Sequence, residues 1–187
     1  MLKQISEIFY SLQGEGHNTG RAAVFVRFAF CNMSCPFCDT DYSLSRVMTD
    51  EEIVDEVVLY PARFVVLTGG EPALQTDDKL IRLLHECGFE IAIETNGSVV
   101  LPEGIDWVTC SPKGKSVISR CDELKCVFDG QKAPDTHGIE AKYYYLQPCD
   151  TGDKEKNKLI TELCLEYIKS HPSWRLSLQT HKLAGFK

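Results

Sequence analysis

The stretch Cys31-Asn32-Met33-Ser34-Cys35-Pro36-Phe37-Cys38 holds three cysteines within eight residues, in the pattern C-x3-C-x2-C. Thiolates this close in sequence can converge on one soft metal centre with little loss of chain entropy. A closed structural zinc site needs four ligands. An iron–sulfur cube held by only three cysteines keeps one iron free for a small molecule. The spacing therefore poses three alternatives, namely a zinc knuckle, a thiol-redox site and an iron–sulfur centre.

The residues around this stretch help to distinguish the three alternatives. A zinc knuckle would need His17 or Cys87 as its fourth ligand, but neither lies in a paired C-x2-C or H-x3-H unit. Cys35-Pro36-Phe37-Cys38 alone is similar to a redox C-P-x-C motif, which should open a helix. Asp39-Thr40-Asp41-Tyr42 follows instead and is a poor helix start. The full pattern, with Phe37 as the aromatic residue, resembles that of the radical S-adenosylmethionine (SAM) superfamily and favours a 4Fe–4S cluster.

Composition limits the class of protein. The chain has 187 residues, 43% hydrophobic and 25% charged, which suits a single domain over residues 1–187. A net charge of −7 lacks the basic footprint of a nucleic-acid-binding protein. We expect no membrane segment and a cytoplasmic location, because no apolar run approaches the length of a bilayer span or a signal peptide. Nine cysteines, an odd number, argue against a disulfide framework and suit a reducing compartment.

Hydrophobic periodicity predicts strands that alternate with helices. The strands are predicted at 4–10, 22–30, 63–68, 89–95, about 105–110, about 123–128, about 142–147 and 174–180. Helices are predicted after the capping residues Thr49 and Thr76, the latter ending at Gly88, and over 155–170. This alternation indicates an α/β fold with a mainly parallel sheet. Because the chain is short for eight βα units, we predict a partial, open TIM-like (βα) barrel.

Polar motifs follow the predicted strands at their carboxyl ends. They are Thr68-Gly69-Gly70-Glu71, Glu94-Thr95-Asn96-Gly97, Ser111-Pro112-Lys113, Gln147-Pro148 and Gln179-Thr180-His181. Each motif alone is also compatible with an ordinary turn. In parallel sheets, however, binding sites gather at these strand ends. The placement therefore predicts one shared pocket.

Arg27 is a cation within an otherwise apolar strand. Burying it without an anion would be costly, so it needs a partner. The partner is either a structural Asp or Glu, or the carboxylate of a substrate held by two hydrogen bonds.

Taken together, these motifs resemble the 7-carboxy-7-deazaguanine synthase family, radical SAM enzymes of queuosine and deazapurine biosynthesis. The resemblance rests on Ser11-Leu12-Gln13-Gly14-Glu15-Gly16, the cysteine loop with Asp39-Thr40, Thr68-Gly69-Gly70-Glu71-Pro72, Glu94-Thr95-Asn96-Gly97, Ser111-Pro112-Lys113 and Gln179-Thr180-His181-Lys182. It extends from residue 11 to 187. The cysteine loop is specific to the superfamily, and the first and last motifs are specific to the family.

The resemblance implies a reaction. The family converts 6-carboxy-5,6,7,8-tetrahydropterin to 7-carboxy-7-deazaguanine with loss of ammonia, as a carbon–nitrogen lyase. SAM bound to the open iron is cleaved to methionine and a 5′-deoxyadenosyl radical, which takes a hydrogen atom from the substrate and later recovers it. SAM is therefore a cofactor. Mg²⁺, an electron donor such as flavodoxin or ferredoxin, and a homodimer are also implied.

The resemblance also implies roles for individual residues. The 4Fe–4S cluster would be held by Cys31, Cys35 and Cys38, and Thr40 would contact Mg²⁺. SAM would be bound by Phe37, Cys38, Asp39, Gly70, Glu71, Ser111, Pro112, Lys113, Gln147, Pro148, Cys149 and Asp150. The pterin would be bound by Leu12, Gln13, Gly14, Arg27, Thr68, His181 and the terminal carboxylate of Lys187.

Two other functions are compatible with the cysteine pattern alone. A glycyl-radical activating enzyme has the same spacing but acts on a protein, and it should lack a pterin-sized pocket with Arg27. A carrier of iron–sulfur clusters or metals without a reaction of its own would need no Gly69-Gly70-Glu71 motif and should not bind SAM.

Overall fold

The computed structural model describes residues 2–38, 40 and 44–187. Its strands are β1 (Lys3–Leu12), β2 (Ala22–Phe28), β3 (Arg46–Met48), β4 (Phe64–Gly69), β5 (Glu90–Thr95), β6 (Trp107–Cys110), β7 (Arg120–Phe128), β8 (Glu140–Pro148) and β9 (Trp174–Leu176). Its helices are α1 (Asp50–Val57), α2 (Asp78–Glu86), α3 (Lys154–Ser170) and α4 (Thr180–Ala184), with a 3-10 turn at Pro72–Leu74.

The described strands form one sheet in the order β3-β1-β2-β4-β5-β6-β7-β8-β9. From β2 to β9 every neighbouring pair is parallel, whereas β1 pairs antiparallel with both β2 and β3. Within the described ranges no ladder joins β3 to β9, so the barrel is open. The predicted α/β fold with a mainly parallel, partial barrel is confirmed.

Local sequence signals account for α1. Thr49 and Glu52 form a capping box, in which the Thr49 side chain accepts from the Glu52 N–H and the Glu52 carboxylate accepts from the Thr49 N–H. Ile53, Val54 and Val57 form its buried stripe. The helix therefore starts at the predicted capping residue and packs through the predicted face.

The predicted start of α2 was wrong by one residue. The Asp77 side chain caps the helix by accepting from the Leu80 N–H at 3.0 Å. The Thr76 hydroxyl instead donates to the Pro72 carbonyl at 2.9 Å and closes the preceding 3-10 turn. Gly88 lies in the left-handed region, with a φ of 77°, and ends the helix as predicted.

The predicted last strand, 174–180, was too long. Pairing with β8 ends at Leu176. Beyond it the Ser177 hydroxyl donates to the Gln147 side chain at 2.9 Å, and both the N–H and the hydroxyl of Thr180 donate to the Gly14 carbonyl. These contacts turn the chain away from the sheet and into α4.

Two layers of side chains line the concave face of the sheet, because alternate residues of a strand face the same side. The lower layer is apolar and includes Phe25, Val66 and Ala92. Two residues further along the same strands, the next layer is polar and consists of Arg27, Thr68 and Glu94. The convex face packs on the helices through Val24, Val26, Val65 and Leu67 at one end. At the other end Leu124 and Leu146 of the sheet pack with Ile160 and Cys164 of α3.

A buried charged group joins β1 to the two helices that follow. The Lys3 ammonium contacts the Asp50 carboxylate, and both side chains have no exposed surface. It also contacts Asp77 Oδ2 at 2.9 Å, and Asp50 lies 3.6 Å from the ammonium of Lys79. The first strand is thus tied to the starts of α1 and α2 by ion pairs as well as by apolar packing.

Candidate active site

A cavity of about 800 Å³ opens at the carboxyl ends of the parallel strands. It contains most of the residues predicted to bind ligands. They are Leu12, Gln13, Gly14, Arg27, Cys31, Cys35, Phe37, Cys38, Thr40, Thr68, Gly70, Ser111, Lys113, Gln147, Pro148, Cys149, Asp150, His181 and Lys187. The five polar motifs thus reach one pocket, as their placement predicted.

Three of the predicted SAM contacts are not among these lining residues. Asp39 lies outside the described residues. Pro112 is buried between two lining residues, Ser111 and Lys113. Glu71 is fully buried and does not line the cavity.

The Glu71 carboxylate is occupied by donors from the protein. Its Oε1 accepts from the Ala73 N–H at 3.1 Å and from the Thr95 hydroxyl at 2.8 Å, and its Oε2 accepts from the Asn96 N–H at 2.7 Å. Burial raises the pKa of Glu71, while these three donors act to lower it. Glu71 therefore fixes the end of β5 at the cavity wall.

The glycine pair permits a close approach between two chain segments. A Cβ on Gly69 would lie 2.3 Å from the Phe28 carbonyl oxygen, and one on Gly70 would lie 1.8 Å from that of Phe30. Gly70 also donates to the Phe28 carbonyl at 3.0 Å. The end of β4 is thus packed directly on the chain that leads into Cys31, a role that the sequence did not reveal.

The three cysteines of the loop lie close together at the cavity wall. Burial raises the pKa of the Cys35 thiol, Lys113 lowers it, and Cys31 and Cys38 raise it further. Among the described residues, no three His, Cys, Asp or Glu side chains converge as ligands of a single metal ion. Three thiols is the number of protein ligands that a cluster with one open iron would need.

The two candidates for a fourth zinc ligand lie elsewhere. The His17 ring stacks between Trp107 and Tyr143, with centroid distances of 4.8 and 4.3 Å. Cys87 is exposed at the end of α2. Neither residue lines the cavity.

The arginine of the polar layer has an anion partner within the protein. Arg27 Nε donates to Glu7 Oε1 at 2.9 Å. Of the two alternatives for Arg27, the structural carboxylate is therefore present. Contact with a substrate carboxylate stays a prediction.

Comparison with known proteins identifies the family. The radical SAM superfamily pattern matches residues 25–113. The chain is 52% identical to the 7-carboxy-7-deazaguanine synthase of Bacteroides thetaiotaomicron, and the alignment covers 100% of both chains. The chain belongs to the 7-carboxy-7-deazaguanine synthase family. Its identity to the synthase of Burkholderia multivorans is 44%, over 97% of this chain and 98% of the relative.

A solved structure agrees with this family assignment. The crystal structure of QueE from Escherichia coli superposes with a TM-score of 0.77 at 30% identity, covering 96% of this chain and 95% of that one. The cofactors expected from the sequence, a 4Fe–4S cluster, SAM and Mg²⁺, are those of this family. These findings favour a 7-carboxy-7-deazaguanine synthase over an activating enzyme or a carrier. None of the described helices is both long and apolar enough to span a bilayer.

The cavity also contains a hydrogen-bond acceptor, Glu94, for which the sequence predicted no separate role. Glu94 Oε2 accepts from the Thr68 hydroxyl at 2.7 Å, and its Oε1 accepts from the Gln13 amide at 3.0 Å. Both donors had been predicted to bind the pterin. Glu94 lies two residues after Ala92 on β5, so the period of the strand could have placed it on the concave face.

A buried ion pair at the cavity was also missed. The Lys125 ammonium contacts the Glu15 carboxylate, whose Oε1 also accepts from Gln179 at 3.0 Å and from Gln147 at 3.2 Å. Burial alone would raise the pKa of Glu15, but Lys125 and then Gln179 lower it to about 2. The signal for this pair was a lysine within the strand predicted at about 123–128, just as Arg27 lies within the strand predicted at 22–30.

This ion pair between Glu15 and Lys125 predicts that the stability of the folded chain depends on pH. The pKa of Glu15 is about 2 in the folded chain against an ordinary value of 4.5, so the unfolded chain binds the proton more readily. The stabilisation is present above pH 4.5 and is lost as pH falls toward 2. We expect wild type to have a higher free energy of unfolding than Glu15→Gln at pH 6. This difference should become about 1 kcal/mol smaller when the pH is lowered to 4.

Urea titrations of both chains at the two pH values measure this difference. Glu155→Gln, at the exposed start of α3, is the control and should track wild type at both. A gap between wild type and Glu15→Gln that is constant or widens on acidification would contradict the assignment.

Proposed function

We propose that the chain converts 6-carboxy-5,6,7,8-tetrahydropterin to 7-carboxy-7-deazaguanine and ammonia, as a radical SAM carbon–nitrogen lyase. The observation that most supports it is that the three loop cysteines share one cavity with Arg27, Thr68 and Glu94. The names of the full-length relatives agree with this reaction. Residues 1–187 would act as a single radical SAM core domain.

Different residues of the chain would bind the cluster and SAM. When bound, the cluster and SAM supply a 5′-deoxyadenosyl radical that can remove a hydrogen atom from the substrate. Cys31, Cys35 and Cys38 would hold the cluster. The SAM-binding residues would be Phe37, Asp39, Gly70, Ser111, Pro112, Lys113, Gln147, Pro148, Cys149 and Asp150.

The polar layer suits the chemical groups of a carboxylated pterin. A pterin presents adjacent N–H donors on its pyrimidine ring and a carboxylate at the other end. Glu94 can accept from such donors, and Gln13 and Thr68 keep its two oxygens in place. Arg27 is a planar cation suited to the carboxylate. A hydroxyl from Thr40, also at the cavity, would reach a Mg²⁺ bound to that carboxylate.

The proposed function also includes a cellular location, an oligomeric state and an electron donor. The enzyme would act in the cytoplasm as a homodimer and receive its electron from a small donor such as flavodoxin or ferredoxin. His181 and the last residue, Lys187, both at the cavity, would approach the pterin from the side of α4.

The assay that tests this function is anaerobic. The cluster is reconstituted and reduced with dithionite, SAM and Mg²⁺ are added, and 6-carboxytetrahydropterin is followed by mass spectrometry. We expect 7-carboxy-7-deazaguanine with little SAM consumed. Cleavage of SAM without this product would contradict the proposed substrate and return attention to a protein substrate.

Arg27 gives a prediction specific to the substrate. We expect Arg27→Ala to raise KM for the pterin by about 100-fold or to abolish turnover, because two charge-assisted hydrogen bonds would be lost. Slow cleavage of SAM without substrate should persist, since Arg27 is assigned to the pterin. Product formation and methionine release, each measured with and without pterin, separate the two effects.

The control for this prediction is Arg21→Ala. Arg21 makes an exposed ion pair with Glu90 and does not line the cavity. Loss of substrate-free SAM cleavage in Arg27→Ala, but not in the control, would refute the assignment of Arg27 to the pterin.

A further inference from the structure

Glu7 lies between two cations at the wall of the cavity. It stands opposite Arg27 in the β1–β2 ladder and accepts from Arg27 Nε at 2.9 Å through Oε1. Its other oxygen, Oε2, contacts the ammonium of Lys187. All three residues line the cavity. The two oxygens of one carboxylate are thus held by residues at opposite ends of the chain.

The contact with Glu7 uses only one edge of the guanidinium. Within the described residues, the two Nη groups of Arg27 make no hydrogen bond, and the side chain is 27% exposed. A guanidinium can present this pair of nitrogens end-on to a carboxylate, with two parallel hydrogen bonds. The Nε contact therefore fixes the plane of Arg27 while leaving that edge for a ligand.

Further contacts surround the cluster of Glu7, Arg27 and Lys187. Phe9 lies under both cations, with its ring centroid 5.6 Å from Arg27 Cζ and 4.6 Å from Lys187 Nζ. The Ser11 hydroxyl donates to the Lys187 carbonyl oxygen at 2.5 Å. Burial would raise the pKa of Glu7, but Lys187 and Arg27 lower it, so Glu7 is a carboxylate at neutral pH.

We propose that Glu7 is a positioning residue that fixes Arg27 to present its two Nη groups to the carboxylate of the substrate. This inference rests on the proposed function. Under that function the pyrimidine end of the pterin would contact Glu94, which Gln13 and Thr68 hold in place. Glu7 therefore determines how strongly the site prefers a carboxylated pterin, and not how it binds the pterin ring.

A Glu7 substitution changes the affinity for a carboxylate ligand in opposite directions, depending on whether Glu7 acts by positioning Arg27 or only by its own charge. Removing the negative charge of Glu7 would by itself favour an anionic ligand, because Arg27 and Lys187 would remain. Losing the acceptor for Nε frees the guanidinium to rotate, which disfavours the two-bond contact. Weaker binding of a carboxylate ligand is therefore expected if Glu7 positions Arg27, and it is not expected if only the charge of Glu7 matters.

The test measures two ligands by calorimetry on unreduced, anaerobic enzyme reconstituted with its cluster, SAM and Mg²⁺. The ligands are 6-carboxypterin and 6-methylpterin, which lacks the carboxylate. In Glu7→Leu we expect about tenfold weaker binding of 6-carboxypterin and less than a twofold change for 6-methylpterin. Glu7→Gln keeps one acceptor oxygen of the same reach, so it should recover part of the affinity. In turnover, KM should rise in the same order while kcat changes little.

The matched control is Glu90→Leu. It makes the same change of net charge and removes the partner of Arg21, but it lies outside this cavity. It should leave the affinities for both ligands unchanged.

Three results would overturn the inference. They are equal weakening of both ligands in Glu7→Leu, unchanged or tighter binding of 6-carboxypterin in Glu7→Leu, and no difference between Glu7→Gln and Glu7→Leu. If Glu7→Leu does not fold, Glu7→Gln alone must still weaken 6-carboxypterin selectively. Failure of wild type to make 7-carboxy-7-deazaguanine would instead refute the proposed function, so the two failures are distinguishable.

Discussion

Replacing Lys3 by methionine is expected to lower the free energy of unfolding by about 3–5 kcal/mol, more than any other single ion-pair substitution proposed for this chain. Lys3 and Asp50 are both fully buried. Methionine fills a similar volume but leaves the Asp50 carboxylate without the cation buried beside it. The loss of the buried cation beside a buried carboxylate, and not a cavity, dominates the effect. Urea unfolding followed by circular dichroism, at equal cofactor loading, measures it.

A neighbouring lysine supplies the control. Lys79 lies 3.6 Å from the same Asp50 carboxylate, but its side chain is 43% exposed. Lys79→Met should therefore cost only about 0–1 kcal/mol. The double variant Lys3→Met/Asp50→Asn should recover at least about 1 kcal/mol of the loss, since the buried side chain that faced Lys3 is then neutral. If Lys3→Met cost no more than Lys79→Met, the buried pair would not have the assigned role.

Replacing Cys35 by alanine is expected to abolish product formation and to reduce bound iron to background. With two thiolates left in the loop, Cys31 and Cys38, a cluster that needs three protein ligands cannot be held. The β-sheet should persist, because the loop joins strands that pair through other residues. Iron content and the visible absorbance of the cluster, measured beside far-ultraviolet circular dichroism, separate loss of the cluster from loss of the fold.

Cys87→Ala tests whether this effect belongs to the loop. Cys87 is an exposed thiol at the end of α2 and does not line the cavity. It should retain iron and activity. Retention of a full cluster by Cys35→Ala, or loss of iron in Cys87→Ala, would contradict the assignment of the ligands to the loop.

The elements that the sequence predicted well are those with short-range causes. The capping box of α1, the glycine at the end of α2 and the apolar strands all depend on residues a few positions apart. The last strand was predicted too long because the contact that ends it, from Thr180 to Gly14, spans most of the chain. No local periodicity contains that information.

The site was predictable to the extent that its residues lie on strand ends. Parallel strands align their carboxyl ends, so the motifs alone placed Thr68, Lys113 and Gln147 at one pocket. What the motifs could not provide is which side chains pair with one another. Glu7 with Arg27, and Glu15 with Lys125, are pairs between distant positions that only the sheet order brings together. Glu71 shows that membership of a motif does not place a side chain at the cavity, because its carboxylate accepts from the Asn96 N–H and supports the cavity wall.

The contacts of the tail also determine when the cavity can form during synthesis of the chain. Lys187 meets Glu7 and Gln179 meets Glu15, so this side of the cavity needs residues 179–187 to be in place. By then α1 and α2 can already have packed on β1, β2, β4 and β5 around the larger apolar core. A nascent chain could therefore possess a stable amino-terminal half well before it can recognise a pterin. Synthesis of residues 179–187 would be the step that completes this side of the cavity.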